Sequence, residues 1–222
     1  MQTETKERAL SVIYYVGGVL MVLAVCELIP LATSLFCRET RFVFVFLAAA
    51  SIMISFAAFL MLIGAGYRNV HLSFGEGMTV ASVSWLMGTL LCALPYYFSG
   101  NYLSYLDCCF DVMSGLTTTG LSMIQNLDHL SNGLNMWRFL LTYIGGQGMV
   151  VLALTFVTKN AGNVYMMYVG EAKDERLRPG AVSTARAIWK ISILYLIIGW
   201  IAMSIAGILA GLPWGNAILH GL

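Results

Sequence analysis

DVMSGLTTTGLS, residues 111–122, sets a polar run of Thr117, Thr118, Thr119 and Gly120 between two apolar segments, each long enough to span a bilayer. Non-helical chain at membrane depth leaves N–H and C=O groups unpaired, at several kcal/mol each, unless it is packed inside protein or lines a watery cavity. An ion pathway provides such a setting. Potassium selectivity filters use Thr- and Gly-rich loops whose backbone carbonyls replace the ion's water shell, the small residues letting those carbonyls point inward.

Composition identifies the solvent of the flanking segments. Of the 222 residues, 59% are hydrophobic and only 10% are charged, with a formal net charge of +1 and a mean hydropathy of +0.80. These values point to an integral membrane protein, with no sign of nucleic-acid binding. The apolar segment after Lys6 and Arg8 is long and lacks a small-residue cleavage site, so it reads as a retained helix and not as a signal peptide. Five cysteines (Cys26, Cys37, Cys92, Cys108, Cys109) show neither a C-x-x-C pair nor a His at metal-ligand spacing. They read as small buried apolar residues.

A bilayer core of about 30 Å needs roughly 20 apolar residues of helix. Five stretches meet that length: Leu10 to Phe36, Phe42 to Tyr67, Met78 to Phe98, Trp137 to Val157 and Ala187 to Leu212. Leu103 to Leu116 is too short to cross and reads as a half-helix that enters the membrane, with Thr117 to Ser122 as its extended return. The expected fold is therefore an all-α integral membrane protein: transmembrane helices with a re-entrant pore half-helix and an extended selectivity-filter loop. Three segments follow. Residues 1–72 form a leading pair of helices, 73–160 a complete helix, pore loop and helix unit, and 161–222 a polar linker with the opening of a second unit.

Lys and Arg concentrate on cytoplasmic loops. With the N-terminus inside, Lys6, Arg8, Arg68, Lys159, Lys173, Arg176, Arg178, Arg186 and Lys190 lie inside, and Arg38, Arg41 and Arg138 outside. The pore loop then faces outward. Asp107 and Asp128 fall near its mouth, either enriching cations there or serving as ordinary solvated loop acids. The half-helix would turn its C-terminal end, about half a negative charge, toward the ion. The carbonyls of Thr117, Thr118, Thr119, Gly120 and Leu121 would line the passage. Gly120 is the pivotal residue, because a filter turn requires a conformation that a Cβ penalises.

Several motifs in order carry a family resemblance. DVMSGLTTTGLS resembles an acidic-x-x-Ser-Gly-aromatic-Thr-Thr-Thr-Gly signature. It is followed by WRFLLTYIGGQGMVVLALTF (Trp137 to Phe156), and then by Glu171, an Arg-Leu-Arg-Pro run ending at Pro179, and Thr184, Ala185 and Arg186 with Trp189. Together they resemble the Trk/Ktr/HKT superfamily of potassium transporters, specifically TrkH/KtrB-like pore subunits. Asp111 stands where Glu is usual, Leu116 where an aromatic is common, Gln147 where an apolar residue is typical, and Gly180 where Arg is frequent.

The resemblance implies potassium uptake across the cytoplasmic membrane, with the ion held at Thr118, Thr119 and Gly120 and no further cofactor in this chain. Plant members with Ser at the position of Gly120 tend to carry sodium, so glycine implies a potassium preference. The family fold holds four pore units, so this sequence is expected to be an N-terminal fragment, its Leu212 to Leu222 resembling a second half-helix cut before its filter. The implied partners are the lipid bilayer, a second copy in a full-length homodimer, and a cytosolic nucleotide-binding regulatory subunit facing Glu171, Arg176 and Arg178. Channel-like and Na⁺- or H⁺-coupled transport both fit these residues.

Gly145, Gly146 and Gly148 read as a hinge or, with more weight, as a close helix contact, since small residues mark transmembrane packing faces. Glu27, three residues before Pro30, is either a functional intramembrane acid or a side chain reaching the interface. His71, His129 and His220 stand alone. No H-E-x-x-H, G-x-S-x-G or phosphate-binding Gly loop is present, which argues against an enzyme. The alternative to conduction is a non-conducting membrane scaffold or sensor derived from a pore unit.

Overall fold

A computed structural model describes residues 2–70, 72–124, 130–148, 181–215 and 217. Every regular element among them is helical: α1 (Gln2–Cys26), α2 (Leu28–Phe36), α3 (Thr40–Gly64), a 3-10 turn (Ala65–Tyr67), α4 (Phe74–Cys92), α5 (Leu94–Ser99), α6 (Tyr105–Leu116), α7 (132–148) and α8 (Ala181–Leu209). Among the described residues, four helical spans are long and apolar enough to cross a membrane: Thr5–Phe36, Thr40–Tyr67, Gly75–Ser99 and Arg186–Leu209. The expected span from Trp137 is described only to residue 148, and the linker beyond it lies outside the described residues. The chain divides into two compact units, Met1–Thr142 and Tyr143–Leu222.

Two of the spans are broken. The single helix expected over Leu10 to Phe36 ends at Cys26 and restarts at Leu28. Pro30 has no N–H to give to the carbonyl four residues back, which is that of Cys26. Pro95 interrupts the third span in the same way, and the helix restarts at Leu94 with proline in the first turn, where its missing N–H is not needed.

Small residues let the first unit close up. A Cβ at Gly17 would stand 2.9 Å from the Ala57 carbonyl oxygen, and one at Gly64 only 2.6 Å from that of Leu10 and 2.5 Å from the Tyr14 Cβ. α1 and α3 therefore approach backbone to backbone, the packing mode of helices that lipid cannot drive together hydrophobically. Ser51 and Ser55 satisfy their hydroxyls on the carbonyls of Leu47 and Ser51 one turn back, both at 2.7 Å.

Contacts at the two ends of this unit set its topology. At one end Arg8 meets Glu76 at 3.2 Å and the Tyr15 hydroxyl donates to the Arg68 carbonyl at 3.0 Å. At the other end Arg41 donates to the Ser99 carbonyl at 3.0 Å. There the Glu39 carboxylate also accepts from the Asn132 and Gly133 N–H groups at 2.9 and 3.3 Å, capping the start of α7. A Cβ at Gly133 would lie 1.9 Å from Ser34 Oγ, so α7 begins hard against α2. α5 finishes and α7 starts at this same end, and α6 is strung between them. In the second unit the Gln147 amide donates to Ser192 Oγ at 2.6 Å, which donates to the Tyr143 hydroxyl at 3.1 Å. The glutamine that looked out of place in an apolar helix is thus partnered on α8.

Gly64→Ala is expected to destabilise the fold by about 1–3 kcal/mol, because the atoms it would strike, the Leu10 carbonyl oxygen and the Tyr14 Cα and Cβ, cannot rotate away. Gly18→Ala, with open space around its Cβ, should be neutral. Unfolding midpoints in detergent compare the two, and equal midpoints would refute the close-packing account.

Candidate functional site

α6 is started by a capping box in which Ser104 and Asp107 exchange bonds: the Asp107 N–H donates to Ser104 Oγ at 3.2 Å and the Ser104 N–H to Asp107 Oδ2 at 3.0 Å. Asp107 is therefore spent on the helix start. The side chains of α6 face inward at Cys108, Asp111, Val112, Ser114 and Leu116. At the far end a Cβ on Gly115 would rest 3.4 Å from the Leu141 Cβ. Leu141 lies nine residues into α7, so α6 stops about 14 Å along that helix at 1.5 Å per residue. That is about half a bilayer core of 30 Å.

A Schellman turn ends α6. The Thr118 N–H donates to the Gly115 carbonyl at 2.9 Å and the Thr119 N–H to the Ser114 carbonyl at 2.8 Å. The left-handed residue such a turn requires is Thr118, at φ 55°. Glycine normally occupies this place, and a β-branched side chain there costs about 1–2 kcal/mol. The extended return thus begins at Thr119, since Thr117 and Thr118 complete the turn. Gly120 follows with φ 78°, the positive value expected of it.

The loop is then tied back to α6. Asp111, only 7% exposed, accepts from the Ser122 hydroxyl at 2.9 Å, the Met123 N–H at 2.6 Å and the Tyr102 hydroxyl at 2.7 Å. Ser114 Oγ donates to the Leu121 carbonyl at 2.7 Å, which commits one lone pair of that oxygen to α6. Thr117 Oγ1 donates to the Met113 carbonyl at 2.7 Å and lies 2.8 Å from Thr119 Oγ1. Thr118, Thr119, Gly120 and Leu121 are exposed along their outer side. The result is a run of backbone carbonyls anchored at both ends, with residues 118–121 left exposed by the described part of the chain.

The expected site residues Thr117, Thr118, Thr119, Gly120 and Leu121 are thus consecutive members of one constrained loop. Gly145 is buried, while a Cβ at Gly148 meets nothing within 4 Å. Glu171, Arg176 and Arg178 lie outside the described residues, as do Asp128, His71, His129 and His220. Glu27 has no exposed surface, and its two carboxyl oxygens have no hydrogen-bond partner among the described residues. The cysteines are free thiols, Cys92 and Cys108 among them fully buried. Sequence reasoning missed the roles of Asp111, Ser114, Ser122 and Tyr102. The available signal was Asp111 and Ser114, two polar residues at i and i+3 on one face of a short helix.

These features define a helical membrane protein in which a short helix packs within the first bundle and the loop after it is tied back to that helix. The chain belongs to the TrkH cation transport protein family, whose profile matches residues 39–222. It is 28% identical over 204 residues to an uncharacterized cation transporter of Methanocaldococcus jannaschii, a match spanning 92% of this chain and 42% of that protein. It is 29% identical over 203 residues to the Trk system potassium uptake protein TrkG of Escherichia coli, across 87% of this chain and 40% of the relative. The crystal structure of the potassium transporter TrkH from Vibrio parahaemolyticus superposes with a TM-score of 0.72 at 25% identity, covering 96% of this chain and 42% of that one. The chain therefore spans about two fifths of the length of these relatives.

Thr118→Gly should stabilise the fold by about 1 kcal/mol by relieving the left-handed threonine, and Gly120→Ala should destabilise it by a similar amount. Thermal midpoints of the purified variants check both signs; a destabilising Thr118→Gly would show that the threonine side chain outweighs the backbone strain.

Proposed function

We propose that this chain contributes one wall of a potassium pathway through the cytoplasmic membrane, as part of the ion-conducting subunit of a Trk/Ktr-type uptake system. The observation that carries the reading is the Thr117 to Leu121 loop. It combines a positive φ at Gly120, both ends fastened to α6, and a position about halfway along the neighbouring helix. Backbone carbonyls of Thr117, Thr118, Thr119 and Gly120, with the free lone pair of Leu121, would replace the water around a dehydrating cation. Thr118, Thr119 and Gly120 would form the main potassium contacts. One loop supplies one side of such a cage, and three further units would complete it. The potassium transport named for the relatives supports the choice of ion.

In this reading residues 1–72 are a leading helix pair, 73–160 the first pore unit, and 161–222 the cytoplasmic linker with the opening of a second unit. The N-terminus is cytoplasmic. Arg8, Arg68 and Glu76 gather at that face, while Arg38 and Arg41 accompany the mouth of the loop. The complete protein acts as a homodimer, and a cytosolic nucleotide-binding regulatory subunit docks on the linker at Glu171, Arg176 and Arg178. Gly145, Gly146 and Gly148 supply a packing face or hinge in the second pore helix. No cofactor and no catalytic step are invoked; potassium is cargo.

Gly120→Ser in the complete gene product should lower the ratio of potassium to sodium uptake, because a Cβ at φ 78° displaces the carbonyls on either side. Gly18→Ala is the matched control. Uptake of the two ions by potassium-transport-deficient cells measures it, and equal ratios for wild type and Gly120→Ser would remove this loop as the selectivity element. For orientation, a cysteine placed at Asn163 should react in intact cells only with membrane-permeant thiol reagents. Labelling by an impermeant reagent would invert the assigned topology.

A further inference from the structure

We propose that Asp111 is a specificity-determining positioning residue: by holding Ser122 and Met123 against α6 it fixes where the carbonyls of residues 117–121 stand, while Tyr102 holds Asp111 itself in place. The proposal rests on the reading of that loop as the ion-coordinating element and names the group that sets its geometry.

The loop has two anchor points. The first is the Schellman turn, which locks Thr118 and Thr119 onto the carbonyls of Gly115 and Ser114. The second is the Asp111 carboxylate, whose Oδ1 takes the Met123 N–H at 2.6 Å and whose Oδ2 takes the Ser122 and Tyr102 hydroxyls at 2.9 and 2.7 Å. Between the anchors, Thr119, Gly120 and Leu121 are exposed, with the Ser114 to Leu121 bond as the one further tie to α6 that their backbone carbonyls receive among the described residues. The second anchor therefore decides how far the return limb stands from the half-helix, and with it the direction of the carbonyls upstream.

The carboxylate does this without facing the ion. It is buried, and its two oxygens are occupied by three donors, so it acts through the backbone it orders. Hydrogen bonds to an ionised acceptor are shorter and about twice as strong as neutral ones. Tyr102 carries the frame outward: its ring lies 5.3 Å from that of Tyr96, which is 1% exposed within α5. Asp111 is thereby referred to the α4–α5 kink as well as to its own helix. A carbonyl cage discriminates between cations through the number and freedom of its dipoles. Slackening the return limb gives those dipoles room to close on a smaller ion, so the loss should appear first in selectivity.

The test compares potassium-to-sodium uptake ratios of the complete gene product in transport-deficient cells at matched membrane abundance. Asp111→Ala should lower the ratio about tenfold, and Tyr102→Phe and Ser122→Ala, each removing a single donor, about two- to threefold, the low end of what one hydrogen bond contributes net. Asp111→Glu, which keeps the acceptor, should retain most of the wild-type ratio. Gly120→Ser is run alongside as the report on the loop itself. If Gly120→Ser shifts the ratio and neither Asp111→Ala nor the two hydroxyl deletions do, Asp111 is not a positioning residue and the filter reading stands. If Gly120→Ser leaves the ratio unchanged, the filter reading falls and this proposal falls with it. Should Asp111→Ala fail to reach the membrane, Tyr102→Phe and Ser122→Ala decide: a lowered ratio in both upholds the brace, and unchanged ratios overturn it.

Discussion

A peptide group inside a bilayer has no water to turn to, and the described chain just after α6 keeps several of its polar groups paired. Side chains or helix-end carbonyls take them up: the Schellman bonds at Thr118 and Thr119, Ser114 on the Leu121 carbonyl, Asp111 on the Met123 N–H. The same constraint explains the breaks in the first and third spans, where proline removes a donor and the chain starts a new helix. It also explains why Trp137, fully buried, directs its indole N–H to the Cys92 carbonyl at 3.1 Å, beside the α4–α5 kink.

The half-helix was legible because its signals are local. The apolar run is too short to cross a membrane and the Thr-rich segment closes it, whereas Asp107, read as an acid near the mouth, turned out to cap the helix with Ser104. The expected start at Leu103 and the observed one at Tyr105 differ by a turn's fraction, set by which serine side chain caps. Gly120 was legible for a similar reason, glycine being the residue that positive φ admits most cheaply.

What escaped the sequence is long-range or breaks a local rule. Asp111 looked like a variant of a motif, since its partners Ser122 and Met123 reach it only after the chain has reversed direction. Thr118 and Arg38 both stand in the left-handed region at helix ends, at φ 55° and 58°, where glycine is the usual signal. Nothing in either residue type announces that turn. Gln147 was visible as an oddity, but its partner Ser192 lies 45 positions along the chain. Glu27 was read as near a helix end, which it is; burial of its carboxyl within the first unit follows from packing that no window of sequence contains.

The cap that Glu39 places on α7 spans 93 positions of sequence. During synthesis the leading helices leave the ribosome first, so Glu39 and the surface formed by Pro30 and Ser34 are in place long before Gly133 arrives to dock there. Joining segments so far apart carries a loop-closure cost that local helix formation does not. α3, α4, α5 and α6 all lie within the stretch of chain that this cap closes. One carboxylate at position 39, holding two backbone N–H groups at 132 and 133, thus ties the start of α7 to the leading helices across four intervening helices.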